Sequence, residues 1–594
     1  MCGLASIFSY RLNSPKLDRD ELSCMRESMF SRGPDGKGLW ISDREDIGLA
    51  HRRLSIIDLC DTGSQPMSID GGRYRIVFNG EIYNYQALRQ ELKKEGCQFH
   101  STSDTEVLLH LYARRGSRMV QSLRGMFAFA IWDEAKRGLF LARDHFGIKP
   151  LYIHDDGKTF RCASQVKALM SGGGINREVE PAGHVGFFLW GSVPEPYTLY
   201  RNVFAMPAGH TLWVDDNGSR NPQAFFNVAD ELGHAGQTTP SCDSVAEALQ
   251  AALRDSVHHH LVADVPVGAF LSSGVDSGTL VALASEQTKH ISAITLGFKE
   301  YEGGEQDETP LAAELARSYG CNHHIEQIAK KNFEQELPRI FAAMDQPTTD
   351  GINTYFVAQA ASHAGLKVAL SGLGGDELLG GYPGFRQIPK LRSLAHIPAA
   401  LPGFGKGFRL LSAPLLKYMT SPKYAGIFEY GGSYGGAYLL RRSLFMPWEL
   451  PKILDPDLVR EGWKTLQPVI RMDDEIAALH TSHAKISTLE LTHYMRNTLL
   501  RDSDWAGMAH SLEIRTPLVD IGLFRALAPY LMAGNQLPSK QAMAKTPLKP
   551  LPDHIINRPK TGFSIPVQQW VEAEGEGKQW RGLRGWAMKV YDTF

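Results

Sequence analysis

The chain has 594 residues and a mass of 65.8 kDa. That length exceeds what one hydrophobic core supports and predicts about two to four domains. The composition, 43% hydrophobic and 22% charged with a formal net charge of −2, is typical of a soluble globular protein. Because nucleic acids and anionic membranes attract basic proteins, we expect neither as a partner. No apolar run reaches the roughly 18 residues of a membrane-spanning helix.

The cysteines favour a reducing compartment. There are seven of them, scattered along the chain, and none forms a C-x-x-C pair. This pattern argues against a disulfide framework and against a zinc site. The first residues also lack a basic stretch followed by an apolar one, so we expect no secretory signal. We therefore predict a cytoplasmic protein.

The first part of the chain, over 2–210, has the pattern of a layered α+β domain. Residues 72–78 read as a strand that enters a tight turn. Residues 126–132 and 138–143 predict a hairpin of buried strands. Between these strands, 84–96 carries apolar residues at helical spacing. Strands that alternate with a helix in this way predict sheets covered by helices.

A different pattern begins after a polar, turn-rich stretch over 211–243, which we interpret as a linker. From 244 to 594, helical segments alternate with short apolar strands at 267–271, 292–296 and 367–370. Strands separated by helices predict an α/β domain with a doubly wound parallel sheet.

A loop rich in small residues, from Ser272 to Ser277, directly follows the strand predicted at 267–271. A short loop between a strand and a helix directs backbone N–H groups at an anion, and both serines can donate hydroxyls to phosphate. Asp276 would repel phosphate unless Mg²⁺ stands between them. An ordinary strand-to-helix turn with a serine cap is the alternative interpretation of this loop.

A second loop, from Leu370 to Glu377, also follows an apolar strand and carries Ser371, Asp376 and several glycines. Two such loops at the carboxyl ends of parallel strands fit ligand binding at that edge of a sheet. Because the Walker pattern is absent, the loops favour pyrophosphate as the leaving group over γ-phosphoryl transfer. Lys540 and Lys545 are candidates for the cation that neutralises charge between the phosphates, although either could be a solvated surface lysine.

Cys2 is the candidate nucleophile at the other end of the chain. Cys2 and Gly3 are both small, which suits removal of Met1. Removal would leave the thiol beside a free α-amine. A thiol with a pKa near 8.5 is a poor nucleophile at neutral pH, and an α-amine with a pKa near 8 can act as its base.

The chain resembles the glutamine-hydrolysing asparagine synthetase family over nearly its full length. The segments that carry the resemblance in the first part are Cys2-Gly3, Arg32-Gly33-Pro34-Asp35, Ala50-His51-Arg52-Arg53-Leu54-Ser55-Ile56, Asn79-Gly80-Glu81-Ile82-Tyr83-Asn84, Ser103-Asp104-Thr105-Glu106, Gly125-Met126-Phe127-Ala128 and Arg143-Asp144-His145-Phe146-Gly147. The resemblance implies an N-terminal nucleophile hydrolase domain of αββα layers, which acts as a class II glutaminase. An α/β doubly wound adenylating domain with a parallel sheet is expected to follow it.

The resemblance also assigns roles at the glutaminase site, where the N-terminal thiol attacks the glutamine amide. Asn79 and Gly80 are expected to form the oxyanion hole, through a side-chain amide and a backbone N–H. Arg53 is expected to bind the α-carboxylate of glutamine, because its planar fork suits a carboxylate. Glu81 and Asp104 are expected to hold the α-ammonium group.

The synthetase part is expected to bind ATP and Mg²⁺. The positions that match the ATP-binding pattern of the family are Leu271, Ser272, Gly274, Asp276, Ser277, Leu296, Ser371 and Gly372. Lys540 matches the catalytic lysine, and we expect Asp276 and Asp376 to hold the metal. The implied reaction adenylates aspartate and releases pyrophosphate, after which ammonia from glutamine displaces AMP to give asparagine. The family further suggests an internal ammonia tunnel and a homodimer.

Two positions depart from the family pattern. Ser273 stands where the loop usually carries glycine and would cost about 1 kcal/mol if that position needs a positive φ. Leu373 stands where characterised asparagine synthetases carry a glutamate implicated in forming the acyl-adenylate. Two interpretations stay open, namely the same reaction on aspartate or a different acceptor carboxylate, such as a sugar acid or a peptide-like precursor. Residues 345–351 could contact either acceptor.

A third hypothesis is a non-catalytic sensor of glutamine or nucleotide, against which the full set of matching catalytic residues argues. Arg515 and Asp520 match a further family segment, and we expect a structural ion pair there.

Overall fold

The computed structural model describes residues 2–11, 14–237, 244–419, 421–534, 537–558, 566, 570 and 580–594. The strands in these ranges belong to three sheets, of six, seven and five strands. The strands are β1 Gly3–Ser9, β2 Gly36–Ile41, β3 Ile47–Arg53, β4 Met67–Ile69, β5 Tyr74–Ile82, β6 Gly125–Asp133, β7 Gly138–Arg143, β8 Tyr152–Asp155, β9 Thr159–Ala163, β10 Val203–Ala205, β11 His210–Asp215, β12 Gly218–Ser219, β13 Gln223–Ala224, β14 Val267–Phe270, β15 Ser292–Phe298, β16 Asn322–Ile328, β17 Val368–Leu370 and β18 Glu513–Arg515.

Helices surround all three sheets. The α-helices are α1 Arg19–Ser28, α2 Tyr85–Lys94, α3 Asp104–Arg115, α4 Val166–Ser171, α5 Pro181–Trp190, α6 Val228–Ala235, α7 Val245–His260, α8 Val275–Gln287, α9 Thr309–Ser318, α10 Lys330–Ala343, α11 Ile352–His363, α12 Gly375–Leu379, α13 Gly384–Ala399, α14 Phe404–Met419, α15 Ile427–Tyr430, α16 Tyr434–Arg442, α17 Pro456–Leu466, α18 Pro468–Glu475, α19 Ser482–Leu489, α20 Arg501–Ala509, α21 Ile521–Ala533, α22 Lys540–Ala544, α23 Asp553–Ile556 and α24 Gly582–Tyr591. A π-helical segment, Glu490–Leu500, joins α19 to α20. None of the described helices is long and apolar enough to cross a bilayer.

The first two sheets stack face to face and make a four-layer domain. Their strand orders are β10-β8-β9-β1-β3-β2 and β12-β11-β7-β6-β5-β4, with antiparallel neighbours throughout. Phe8 and Trp132 meet between the sheets, with ring centroids 5.1 Å apart. Helices α1 and α4 cover one outer face, and α2 and α3 cover the other. The expected αββα layering is confirmed.

The central strands read as continuous apolar runs because both of their faces are covered. In β6, every residue from Met126 to Asp133 is buried. The hairpin predicted from 126–132 and 138–143 is formed by β6 and β7, which pair antiparallel from Ala128 with Arg143 to Asp133 with Gly138. A strand between two apolar layers has no solvent-facing side and therefore shows no alternation.

The structure differs from the predicted linker over 211–243. Strand β11 pairs antiparallel with β7, and its Leu212 and Val214 are buried between the layers. The turn-forming residues 215–218 connect β11 to β12 within a hairpin, so they mark a tight turn inside the sheet. Helix α6 packs against α21 of the second domain. Residues 238–243 of the predicted linker lie outside the described ranges.

The third sheet has the order β16-β15-β14-β17-β18 and all of its strands are parallel. From β14 the chain winds outward to β15 and β16 on one side, and to β17 and β18 on the other. The expected doubly wound sheet is confirmed. The carboxyl ends of β14 and β17 therefore flank a topological switch point, which is where such sheets bind ligands.

Candidate active sites

A small pocket opens between the start of β1 and the ends of β3 and β5. Its lining residues are Cys2, Arg53, Leu54, Ile56, Ile57, Gly63, Gln65, Phe78, Gly80, Glu81, Ser103, Asp104 and Thr105. Five of the six residues expected at the glutaminase site line this pocket. The sixth, Asn79, lies directly behind the nucleophile: its Oδ1 accepts a hydrogen bond from the Cys2 backbone N–H at 3.1 Å.

The Cys2 thiol is buried and lies 3.9 Å from the carbonyl oxygen of Leu54. Burial raises the pKa of this thiol above its ordinary value. At neutral pH the thiol is therefore protonated and needs a base before it can attack a carbonyl carbon. The surroundings do not by themselves activate the nucleophile, which is consistent with the expected use of the α-amine.

Asn79 places an unpaired N–H donor behind the thiol, and the backbone at Gly80 passes close to the pocket. Asn79 is fully buried, and its Nδ2 has no hydrogen-bond partner among the described residues. An unpaired N–H beside a buried thiol is available to a developing oxyanion. A Cβ at Gly80 would lie 2.1 Å from the carbonyl oxygen of Met126, so only glycine fits where the backbone passes the pocket.

Arg53 is held by the backbone of the loop that follows β3. Its guanidinium donates to the carbonyl oxygen of Cys60 at 2.8 Å and to that of Asp58. Carbonyl groups orient the fork but leave its positive charge uncompensated. The side chain is therefore positioned to receive a carboxylate.

Glu81 and Asp104 form the acidic wall of the pocket. Burial raises the pKa of Asp104 to about 6, although the Ile82 backbone N–H donates to its Oδ2 at 3.0 Å. Burial, together with the charges of Glu513 and Asp104, raises the pKa of Glu81 well above its ordinary value. The guanidinium of Arg515 lies 3.7 Å from Glu81 and opposes that shift.

The sequence analysis missed this contribution from the second domain. Glu513 and Arg515 lie on β18, more than four hundred residues after Glu81. The expected ion pair between Arg515 and Asp520 is wrong, because the two side chains point to different partners. Arg515 Nε donates to Glu513 at 2.7 Å, whereas Asp520 binds Arg124 at 2.8 and 2.9 Å.

The loop after β14 folds around its own hydroxyl groups. The Oγ atoms of Ser272 and Ser277 lie 2.9 Å apart, and the Gly274 N–H donates to Ser272 Oγ at 3.1 Å. Ser273 is buried, contacts the guanidinium of Arg558 and does not have a positive φ. The strain considered for Ser273 therefore does not arise.

The two loops meet at the switch point, as the sequence predicted. A Cβ at Gly372 would lie 3.0 Å from Cβ of Asp276, so glycine lets the second loop approach the first this closely. The Ser371 N–H donates to the carbonyl oxygen of Arg515 at 2.8 Å, which ties this loop to β18. Leu271 and Leu296 are buried beside the loops, at or near the ends of β14 and β15.

Lys540 joins the two loops. Its Nζ contacts Asp276 and lies 2.5 Å from Oδ1 of Asp376. Burial lowers the pKa of this lysine, but attraction to the two carboxylates outweighs burial and raises the pKa above its ordinary value. Lys540 is therefore a charged group inside the site, whereas Lys545 is exposed.

The carboxylates of Asp276 and Asp376 contact the same ammonium group, which brings them together at the mouth of the switch point. The described residues contain no group of three or more metal-ligating side chains. Mg²⁺ is commonly held by one or two carboxylates and completes its shell with substrate phosphates and water. The residues present fit that use.

A larger cavity, of about 730 Å³, is connected to the second loop through Tyr382. Glu377, next to Asp376, accepts a hydrogen bond from Tyr382 at 2.6 Å. Burial raises the pKa of Glu377 to about 7. The Arg442 guanidinium lies 4.4 Å from the Tyr382 ring centroid and also lines the cavity. The lining residues are Trp190, Ser192, Pro194, Thr349, Asp350, Ser421, Lys423, Tyr438, Arg442, Ser443, Leu444, His493, Tyr494, Asn497, Thr498, Arg581, Leu583 and Arg584.

Comparison with known proteins gives the same two-part division. A family model described as a glutamine amidotransferase domain matches residues 1–226, and one described as asparagine synthase matches residues 248–583. Together with the fold, these matches define an ATP-dependent amidotransferase ligase that takes glutamine as its amide donor.

The relatives narrow this class to one family. Asparagine synthetase 1 of Bacillus subtilis is 31% identical over 589 residues, which cover 97% of this chain and 88% of the relative. Asparagine synthetase B of Escherichia coli is 32% identical over 410 residues, which cover 66% of this chain and 67% of the relative. A Gibberella zeae protein named amidase chry2 is 30% identical over 411 residues, which cover 65% of this chain and 60% of that protein. The chain belongs to the glutamine-hydrolysing asparagine synthetase family.

Proposed function

We propose that this protein converts an acceptor carboxylate to a carboxamide through an acyl-adenylate, with ammonia taken from glutamine. The arrangement of Lys540 between Asp276 and Asp376 at the switch point carries the proposal. Aspartate is the first candidate acceptor, because relatives that cover most of the chain are named asparagine synthetases. Asparagine, AMP, pyrophosphate and glutamate are then the products.

At the glutaminase site, the Cys2 thiol transfers its proton to the α-amine and attacks the amide carbon of glutamine. Negative charge develops on the amide oxygen, where the Asn79 Nδ2 and the Gly80 N–H donate hydrogen bonds. Ammonia departs with the proton that the amine holds, and water hydrolyses the resulting thioester to glutamate. Arg53, Glu81 and Asp104 fix the amino-acid end of the substrate throughout.

At the synthetase site, the acceptor carboxylate attacks the α-phosphorus of ATP and pyrophosphate leaves. Mg²⁺, held by Asp276 and Asp376, would supply positive charge to the phosphate oxygens. Lys540 exchanges its carboxylate partners for the departing phosphates, and Ser272, Ser277 and the loop N–H groups bind them. Ammonia then attacks the acyl carbon and displaces AMP.

A larger, anionic acceptor is the second candidate, and the cavity favours it. Leu373 removes a carboxylate from the loop, and the 730 Å³ cavity is lined by Lys423, Arg442 and Arg584 together with Asp350. Arg442 and Arg584 are paired with Glu490 and Glu449. Pockets of several hundred Å³ are typical of ligands much larger than aspartate. A sugar acid matches the size of this cavity.

The test is to measure release of pyrophosphate and AMP from ATP, Mg²⁺ and glutamine, with aspartate, with a panel of sugar acids, or with no acceptor. We expect release to depend on one acceptor and to match the amount of amide formed. The Cys2→Ala variant should lose synthesis from glutamine and keep synthesis from ammonium salts. Loss of both in the folded variant would contradict a separate glutaminase site, and release with no acceptor dependence would contradict the ligase proposal.

A further inference from the structure

A helical hairpin formed by α13 and α14 presents an apolar surface to solvent. Side chains of this surface are strongly exposed, with Ile397 at 77% and Leu411 at 85%. We call it the hairpin surface, and its exposed apolar residues are Leu394, Ile397, Leu401, Phe404, Leu410 and Leu411. Soluble monomers seldom expose so many large apolar side chains side by side without a partner.

The exposed residues of α13 follow helical spacing and form one stripe. Lys390, Leu394 and Ile397 recur at intervals of four and three residues, and Arg386 precedes them by one turn. All four are exposed. The stripe thus places two cations at its start and apolar side chains along the rest.

Charge distinguishes this segment from the remainder of the chain. Residues 378–428 contain no aspartate or glutamate. The seven basic residues of the same segment are Arg386, Lys390, Arg392, Lys406, Arg409, Lys417 and Lys423. Because the net charge of the whole chain is −2, the other residues are acidic on balance. The expectation of no membrane partner used the average charge, which conceals this local excess.

The hairpin is anchored from its inner side, which keeps the stripe outward. Phe408 packs against the ring of Phe428, with the ring centroids 4.8 Å apart. Arg409 pairs with Glu429, the first acidic residue after the segment. Ile388 and Ala395 are buried on the inner face of α13.

We propose that the hairpin surface docks the protein on the face of an anionic phospholipid membrane without crossing it. Exposed leucine, isoleucine and phenylalanine side chains can enter the boundary between headgroups and acyl chains. The exposed cations Arg386, Lys390 and Lys406 can bind anionic headgroups. A second copy of the chain fits this surface less well, because it would bring two copies of the same basic segment, which has no aspartate or glutamate over 378–428, into one interface. The nucleotide loop immediately precedes the hairpin, so docking holds the synthetase site close to the membrane.

The test is flotation of the full-length protein with vesicles of phosphatidylcholine alone or mixed with phosphatidylglycerol. We expect the protein to float with the mixed vesicles at low ionic strength, and to detach as salt is raised. Lys390→Glu with Lys406→Glu should weaken partitioning roughly 25-fold or more, since each lysine near the surface contributes about fivefold. Ile397→Glu with Leu411→Glu should abolish flotation at any salt concentration.

Control variants change exposed residues of the same types elsewhere in the chain. Leu548→Glu with Ile470→Glu controls for the apolar pair, and Lys93→Glu with Lys94→Glu controls for the lysines. Both controls should float like the parent protein.

All four variants should keep ammonia-dependent activity in vesicle-free buffer, which shows that they fold. The proposal is overturned if the parent does not float, or if hairpin and control variants float equally. It is also overturned if sedimentation shows that the parent is a dimer and that Ile397→Glu with Leu411→Glu is a monomer, because the hairpin surface would then bind a second copy of the chain.

Discussion

Individual residues of the glutaminase pocket owe their charge states mainly to burial. The thiol of Cys2 and the carboxyl of Asp104 both have raised pKa values for this reason. Burial therefore keeps the thiol protonated at neutral pH, whereas Asp104 still loses its proton above a pH of about 6. Glutamine brings its own ammonium and carboxylate groups, so its binding supplies the partners that the pocket lacks.

Asn79→Ala should lower the turnover number for glutamine hydrolysis by about 10²- to 10³-fold, because it removes the free N–H beside the thiol. Steady-state release of glutamate measures this. Asn84→Ala, which removes a hydrogen bond from Nδ2 to Ser122 away from the pocket, should leave turnover unchanged. Equal losses in glutamine hydrolysis and ammonia-dependent synthesis would argue against an oxyanion role.

Glutamine binding should weaken as the pH falls through about 6, where Asp104 takes up a proton. Protonation removes the negative charge that attracts the substrate ammonium. Between pH 7.5 and 5.5 the KM for glutamine should therefore rise about fourfold. Burial also raises the pKa of Glu81, so Glu81 likewise loses its negative charge as the pH falls, which weakens glutamine binding in the same direction.

Asp104→Asn is the matching variant for this pH dependence. It should raise KM at every pH and flatten the profile, and an unchanged slope would assign the titration elsewhere. Because the folded chain binds the Asp104 proton more tightly than the unfolded chain, ionisation also lowers stability as pH rises from about 4 to about 6. The asparagine variant should lose that dependence.

The sequence predicted the residues that lie within continuous motifs, such as Cys2, Asn79 and the loop after β14. It could not predict Glu513 and Arg515 at the glutamine pocket, because nothing in a local pattern connects positions so far apart. The cavity beside Tyr382 was missed for the same reason. It is assembled from segments spread between Trp190 and Arg584.

Among the secondary-structure elements, those with two covered faces were the easiest to predict. Strands such as β6 and β14 are short apolar runs bounded by turns. Strand β18 was missed because two of its three residues are charged, and both are buried in ion pairs. Strand β11 was missed because turn-forming residues follow it. The local hydrophobic pattern predicts buried apolar strands well, but it misses strands whose buried residues are charged.

Helix α5 depends on close approach to the chain that follows it. A Cβ at Gly183 would lie 1.8 Å from the carbonyl oxygen of Thr198. Gly183→Ala should therefore destabilise the protein by about 1–3 kcal/mol, as overpacking usually does. Thermal denaturation measures the loss.

Gly233→Ala in α6 is the control for that substitution, since nothing lies within 4 Å of its Cβ position. It should leave stability unchanged or raise it by about 0.5–1 kcal/mol through helix propensity. Equal effects at the two glycines would contradict the packing argument.

At the scale of the whole molecule, a buried ion pair joins the two catalytic halves beside the nucleophile. The Arg32 guanidinium binds both carboxylate oxygens of Asp504 in α20, at 2.6 and 3.0 Å. Its Nε also donates to the Cys2 carbonyl oxygen at 3.0 Å. The position of the nucleophile thus depends on a residue of the second domain.

Asp504→Asn should lower stability by about 3–5 kcal/mol, because it leaves a buried guanidinium without its counter-charge. Glutamine hydrolysis should fall as well, since Arg32 would no longer be fixed against Cys2. Denaturant midpoints and glutamate release measure the two effects. Glu461→Gln, which disrupts an exposed pair with Arg201, should change neither.

Arg515 gives the two sites a common residue. Its carbonyl oxygen receives the Ser371 N–H of the nucleotide loop, and its guanidinium faces Glu81 of the glutamine pocket. Any shift of β18 on nucleotide binding therefore moves a charge at the other site. Thermodynamic reciprocity then requires that the factor by which ATP changes the affinity for glutamine equals the factor by which glutamine changes the affinity for ATP. A single residue, Arg515, thus connects the two sites, so a change in its position at one site would change the affinity for the substrate at the other.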